Sequence, residues 1–107
     1  MSTQIHTQPI PEYVAEACAW LSAAERHSVP RQPTRLRDRA TAAEALNILL
    51  DVDPPYPAIN ITKPAAPLAE AAPQAIAALD LAMRGDSPPH QRLRLARALG
   101  HLRHALR

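Results

Sequence analysis

Residues 87–107 read SPPHQRLRLARALGHLRHALR, and this stretch predicts a helix more completely than any other part of the chain. Ser87 offers a side-chain oxygen for an N-cap, Pro88 suits a first helical position where no amide donor is needed, and no proline follows Pro89. At 100° per residue, Leu95, Leu99, Leu102 and Leu106 fall on one stripe about 60° wide, and Ala98 and Ala105 broaden it. That stripe has to be covered by other segments. Opposite it lie Arg94, Arg97, His101 and His104, while Arg92, Arg103 and Arg107 flank the leucines. Residues 92–107 hold five arginines and no acid. Cations in a last turn favour the helix dipole, which accounts for Arg103, His104 and Arg107 but not for Arg92, Arg94 and Arg97, which sit too early.

Working outward, the next question is what covers the leucines. Of the 50 apolar residues in this 107-residue chain 22 are alanine, none is phenylalanine, and the aromatics are Tyr13, Trp20 and Tyr56. Alanine favours helix but buries little surface, so the expected core is thin and closely packed, and a partner or second copy could supplement it. Residues 10–107 are expected to form one helical domain behind a loose tail, residues 1–9.

Three more helices are predicted. Pro11, Glu12 and the spacing of Val14, Ala17, Cys18 and Leu21 mark one over residues 11–27, with Glu12, Glu16 and Glu25 on its outer side. Pro30 and Pro33 stop it. Thr34 is a plausible N-cap for a second helix reaching residue 50 or 51, with Leu36, Ala43, Leu46 and Leu50 as its stripe; a rival start at Thr41 rests on the capping-box pair Thr41 and Glu44. A third begins near Pro67 or Pro73 and runs to Arg84, its stripe formed by Leu68, Ala72, Ile76, Leu79 and Met83, with Gly85 just past its end. Between the second and third, DPPYPAINITKPAAP at residues 53–67 carries five prolines, so no helix can form there. An extended, polyproline-like strap that tucks Tyr56, Ile59 and Ile61 into grooves is the expected form. The fold class is all-α, a four-helix bundle or irregular four-helix array, with the last two helices as a hairpin.

Charge is unevenly spread. Twelve bases against ten acids give +2, but residues 1–53 hold five bases and seven acids, and residues 54–107 seven bases and three acids. Glutamates of the first helix are thereby expected to meet arginines of the last, within one molecule or across a dimer. Eleven of the twelve bases are arginine, which together with the abundance of Ala, Pro and Leu is how a GC-rich bacterial genome writes a protein. Cys18 is alone, no leader-like or membrane-spanning run is visible, and a cytoplasmic location is expected.

Several function classes lose support here. No glycine-rich phosphate loop exists, Cys18 sits on a core-facing position where a thiol is inert, and Glu12 and Glu16 lie on an exposed face, so no catalytic residues are assigned. His101 and His104 share a face, but tetrahedral zinc needs further ligands, so no metal or cofactor is expected and two solvent-facing histidines suffice. Nor is a small-molecule substrate evident. What remains is a non-enzymatic adaptor or regulatory module that binds another protein or itself. The alternative is nucleic-acid binding through the basic last helix, with Arg92, Arg94, Arg97, His101 and His104 as candidates for either role.

Overall fold

A computed structural model describes residues 9–27, 34–53, 55–85 and 88–106, with the side chains of residues 34–36 excepted. The expected N-terminal tail, apart from Pro9, lies outside these residues, as do Asp86, Ser87 and Arg107. Four helices account for most of the chain: α1 Glu12–Arg26, α2 Thr34–Leu50, α3 Leu68–Arg84 and α4 Pro89–Ala105. No strand occurs among the described residues.

Proline sets the helix starts. Pro11, Pro67 and Pro88 each stand as the N-cap of α1, α3 and α4 with extended backbone, and none contributes a side-chain cap. Their carbonyls accept the first helical bonds, from Ala15, from Glu70 and Ala71, and from Gln91 and Arg92. The start of α4 therefore lies one residue later than predicted, because a residue before proline is driven out of the helical region: Pro88 sits at ψ 149°, and Pro89 opens the helix. Pro73 does not start α3 but lies within it. Both Pro73 and Ala69, whose carbonyl loses its donor, are exposed, so that carbonyl group is on the solvent side of the helix. For α2 the earlier start holds, with Thr34 already helical and Thr41 internal.

The helices form a ring in the order α1, α2, α4, α3. α1 packs on α2 and α3, α4 packs on the same two from the other side, and α1 and α4 do not touch. Among the described residues no ion pair joins a glutamate of α1 to an arginine of α4, which corrects the expectation of such contacts within one molecule. α3 and α4 are antiparallel, Arg92 reaching Met83 at one end and Arg103 reaching Asp80 farther along. α2 and α4 are antiparallel too, since Glu44 faces His101 while Asp51 lies by His90. It follows that α2 and α3 run the same way. The link between them has to travel back the length of α2, about 25 Å at 1.5 Å per residue, and a short turn could not do so. Its described residues adopt no helix or strand. Tyr56 and Ile59 pack half-buried against the core, and Ile61 lies with Ile59 beside Ala19, Ser22 and Arg26 of α1.

Near its end the link is fastened to α1. The Ala66 amide donates to the Ala23 carbonyl at 3.3 Å, and Arg26 Nη2 donates to the Lys63 carbonyl at 2.7 Å. Lys63 Nζ pairs with Glu16 Oε1 at 2.7 Å and stands 5.2 Å from the centre of the Trp20 ring, whose Nε1–H donates to the same carboxylate oxygen.

The core is dominated by alanine, which supplies fourteen of the twenty-four buried apolar residues among those described. Between α1 and α3, Ala17, Leu21 and Ala24 join Ala71, Ala72, Ala75 and Leu79, and small side chains of this kind let helices approach closely. In α4 the buried stripe is Leu95, Ala98, Leu99 and Leu102. Leu106 is 42% exposed and Ala105 is exposed, so the predicted stripe ends a turn early, where the helix runs past its neighbours. In α2 the buried face is Ala42, Ala45, Leu46 and Leu49, rotated from the predicted one; Ala43 is half-buried and Leu50 is 40% exposed.

Candidate interaction surface

The five side chains singled out on α4 divide according to what they touch. Arg92 Nη2 donates to the Met83 carbonyl at 3.2 Å, satisfying one of the carbonyls left unpaired in the last turn of α3. Arg103, which the dipole alone would explain, holds both oxygens of Asp80 at 3.0 and 3.1 Å. These two arginines tie α4 to α3. His104 is exposed. His101 is not solvent-facing as expected: it is half-buried, with Nε2 shielded from water and 3.5 Å from Glu44 Oε2 of α2, too poorly placed for a hydrogen bond. Cys18 and His27 belong to α1 and its cap, the element that α4 does not reach. Among the described residues no three His, Cys, Asp or Glu side chains are grouped to hold a metal ion.

Arg94 and Arg97 have a different setting. They line a groove of about 400 Å³ between α2 and α4, together with His90 and Leu93 of α4 and with Glu44, Asn47, Ile48 and Asp51 around α2. Glu44 and Ile48 of α2 and Asp51 just past its end recur at four and three residues and so share one side, pointing away from the buried Ala42, Ala45 and Leu49. On α4, Leu93, Arg97, Gly100 and His104 form the outward line. One wall is thus acidic and the other basic. Neither Arg94 nor Arg97 forms an ion pair with another described residue, and Asp51 likewise has none.

Apolar surface accompanies the charge. Leu93 is 66% exposed on the α4 wall and Ile48 is half-buried on the α2 wall, whereas Leu50, 40% exposed, lies about 120° round α2 from Glu44 and outside the groove. The groove continues past the end of α2 along Val52, Asp53 and Tyr56, facing His90, Gln91 and Arg94. Burial pushes the Tyr56 phenol above its ordinary pKa, and the nearby Arg94 guanidinium partly opposes that shift. Gly100 is a further oddity. Mid-helix glycine costs about 0.5–1 kcal/mol relative to alanine, yet nothing lies within 4 Å of the place its Cβ would occupy, so packing inside the molecule does not require it.

Sequence reasoning found the basic wall but missed the acidic one. Glu44, Ile48 and Asp51 carry a helical spacing that was there to be seen. Leu93 was passed over because it falls outside the leucine stripe. Cys18 is fully buried and its thiol is pushed up to about 12 by loss of hydration, far from a reactive thiolate. No helix among the described residues is long and apolar enough to cross a membrane. No protein-family model, curated protein or solved structure matches this chain.

Proposed function

We propose that this chain is a small, non-enzymatic helical interaction module, of adaptor or regulatory kind, acting in the cytoplasm, and that it binds protein through the outer face of α2 and α4. The observation that carries this is the groove itself: exposed Leu93 on one wall and half-buried Ile48 on the other, with acids on the α2 side and unpaired arginines on the α4 side. Protein surfaces that bind other proteins combine apolar contact with charges that set orientation. A nucleic-acid site needs instead a continuous cationic surface, since it is phosphate neutralisation that supplies most of the affinity. Here Glu44, Asp51 and Asp53 lie in or beside the groove, Asp80 occupies Arg103, and Arg92 is engaged by α3. Pro88 and Pro89 also remove two amide donors from the N-terminus of α4.

The competing view, that α4 reads or grips nucleic acid, draws on exposed His90, Arg92 and Arg97 in its first half. Purification at low salt separates the two. The interaction module should elute free of nucleic acid, by its 260 to 280 nm absorbance ratio, and should not retard labelled DNA or RNA. Co-purifying nucleic acid that is shed in high salt, with affinity falling steeply as salt rises, would overturn the proposal.

A further inference from the structure

The α2–α4 groove has a symmetry that selects its occupant. An acidic wall and a basic wall lie side by side and run the same length. Turning a second copy by 180° about an axis along the groove places its basic wall over the first copy's acidic wall, and its acidic wall over the first copy's basic one. Each contact then occurs twice, as in an isologous two-fold interface, and the pair is closed against further addition. No other two-fold axis lying in the plane of this face matches the charges: one across the groove puts acid on acid.

Resting on the interaction-module proposal, we infer that the partner is a second copy of this chain, docked along the α2–α4 groove by this two-fold. Position along the helices supports the match. With His101 level with Glu44, a rise of 1.5 Å per residue puts Arg94 about 10 Å along α4 and Asp51 about 10 Å along α2, at the same height. Because an axis along the groove preserves height, Asp51 meets the second copy's Arg94, and Glu44 meets its Arg97 and His101. Leu93, 66% exposed on the α4 wall, is likewise turned onto the second copy's α2 wall, which covers it. Gly100, on the outward line of α4, leaves the backbone bare where a second helix approaches.

Charge exchange tests this directly by light scattering behind size exclusion, with absorbance at 260 nm recorded throughout and each variant's helicity and melting checked by circular dichroism. The wild type should be a nucleic-acid-free dimer. The double variant R94E/R97E has two acidic walls and E44R/D51R has two basic ones, so each alone should dissociate at least tenfold more readily. An equimolar mixture should recover a heterodimer, since both walls are again matched, and the quadruple variant carrying all four exchanges should dimerise by itself. That rescue also guards against misfolding of either double variant. A wild type that stays monomeric as concentration rises, or a dimer indifferent to both exchanges, overturns the second-copy inference while leaving protein binding as such untouched. Nucleic acid in the peak, bound more tightly by E44R/D51R, would overturn both.

Discussion

Leu102 and Leu106 sit on one geometric stripe of α4, and the fold treats them differently. Leu102 is fully buried between α2 and α3, whereas Leu106 is 42% exposed at the helix end. Replacing either by alanine removes three carbons. At about 0.8 kcal/mol per buried carbon the transfer loss for Leu102 is about 2.4 kcal/mol, and the void left in a close-packed core adds to it, for about 3–4 kcal/mol in all. Leu106 is already partly in water and leaves no enclosed void, so about 1 kcal/mol is expected. The assay is urea unfolding followed by far-ultraviolet circular dichroism and by Trp20 fluorescence, with unchanged slope as the condition for comparing midpoints. With a slope of about 1–3 kcal/mol per molar urea, Leu102→Ala should lower the midpoint by about 1–4 M, and Leu106→Ala by no more than a third as much. Equal losses, or a larger one at Leu106, would show that the packing of α4 has been misplaced along its axis.

Other consequences follow from the core, the link and the surface. The Cys18 thiol stays protonated in the fold up to about pH 12, whereas in the unfolded chain it ionises near pH 9. The neutral form is the one the fold holds, so this contribution is complete below pH 9 and is lost at on the order of 1 kcal/mol per pH unit between 9 and 12. The stability difference between wild type and Cys18→Ala should be flat up to pH 9 and fall above it; a constant difference to pH 11 would contradict the burial. Lys63→Ala removes an ion pair to Glu16 and a cation over Trp20, both partly exposed, and should cost about 1 kcal/mol while shifting Trp20 emission to the red at unchanged helicity; unaltered emission would mean that the lysine does not cover the ring. Gly100→Ala should raise stability by about 0.5–1 kcal/mol, read as a higher melting temperature, because the added methyl meets nothing in the same molecule. A lower melting temperature in a dilute, monomeric sample would refute that.

Sequence and fold agree most closely where the larger side chains recur at an unbroken helical spacing. Val14, Cys18 and Leu21 in α1, and Leu95, Leu99 and Leu102 in α4, are the buried residues their spacing predicts. In α2 the run LNILL presents apolar groups all round, and its alanines fit any face, so periodicity carried little direction and the chosen stripe was rotated. The start of α4 is displaced by one residue because Pro89 restrains the residue before it. Site geometry was legible only in half. The basic wall could be named from α4 alone, but that α2, not α1, lies against it depends on the parallel course of α2 and α3, which no local pattern encodes. The His101 contact to Glu44 was out of reach for the same reason.

The alanine core also shapes how this chain can change. An alanine codon is a single base change from valine, threonine, serine, proline, glycine, aspartate or glutamate. At a position such as Ala17, Ala71 or Ala75, with no exposed surface and a neighbouring helix close by, the larger of these have no room, the charged and hydroxylated ones bring unpaired polar groups, and proline breaks the helix. Glycine alone fits, and it loosens the helix. A core of large residues can drift by exchanging volume between neighbours, one gaining what another gives up. Here the neighbours of a small side chain are mostly small themselves and have nothing to give, so variation in this fold is expected to collect on the link and on the outer faces, leaving the α1–α3 contact nearly frozen.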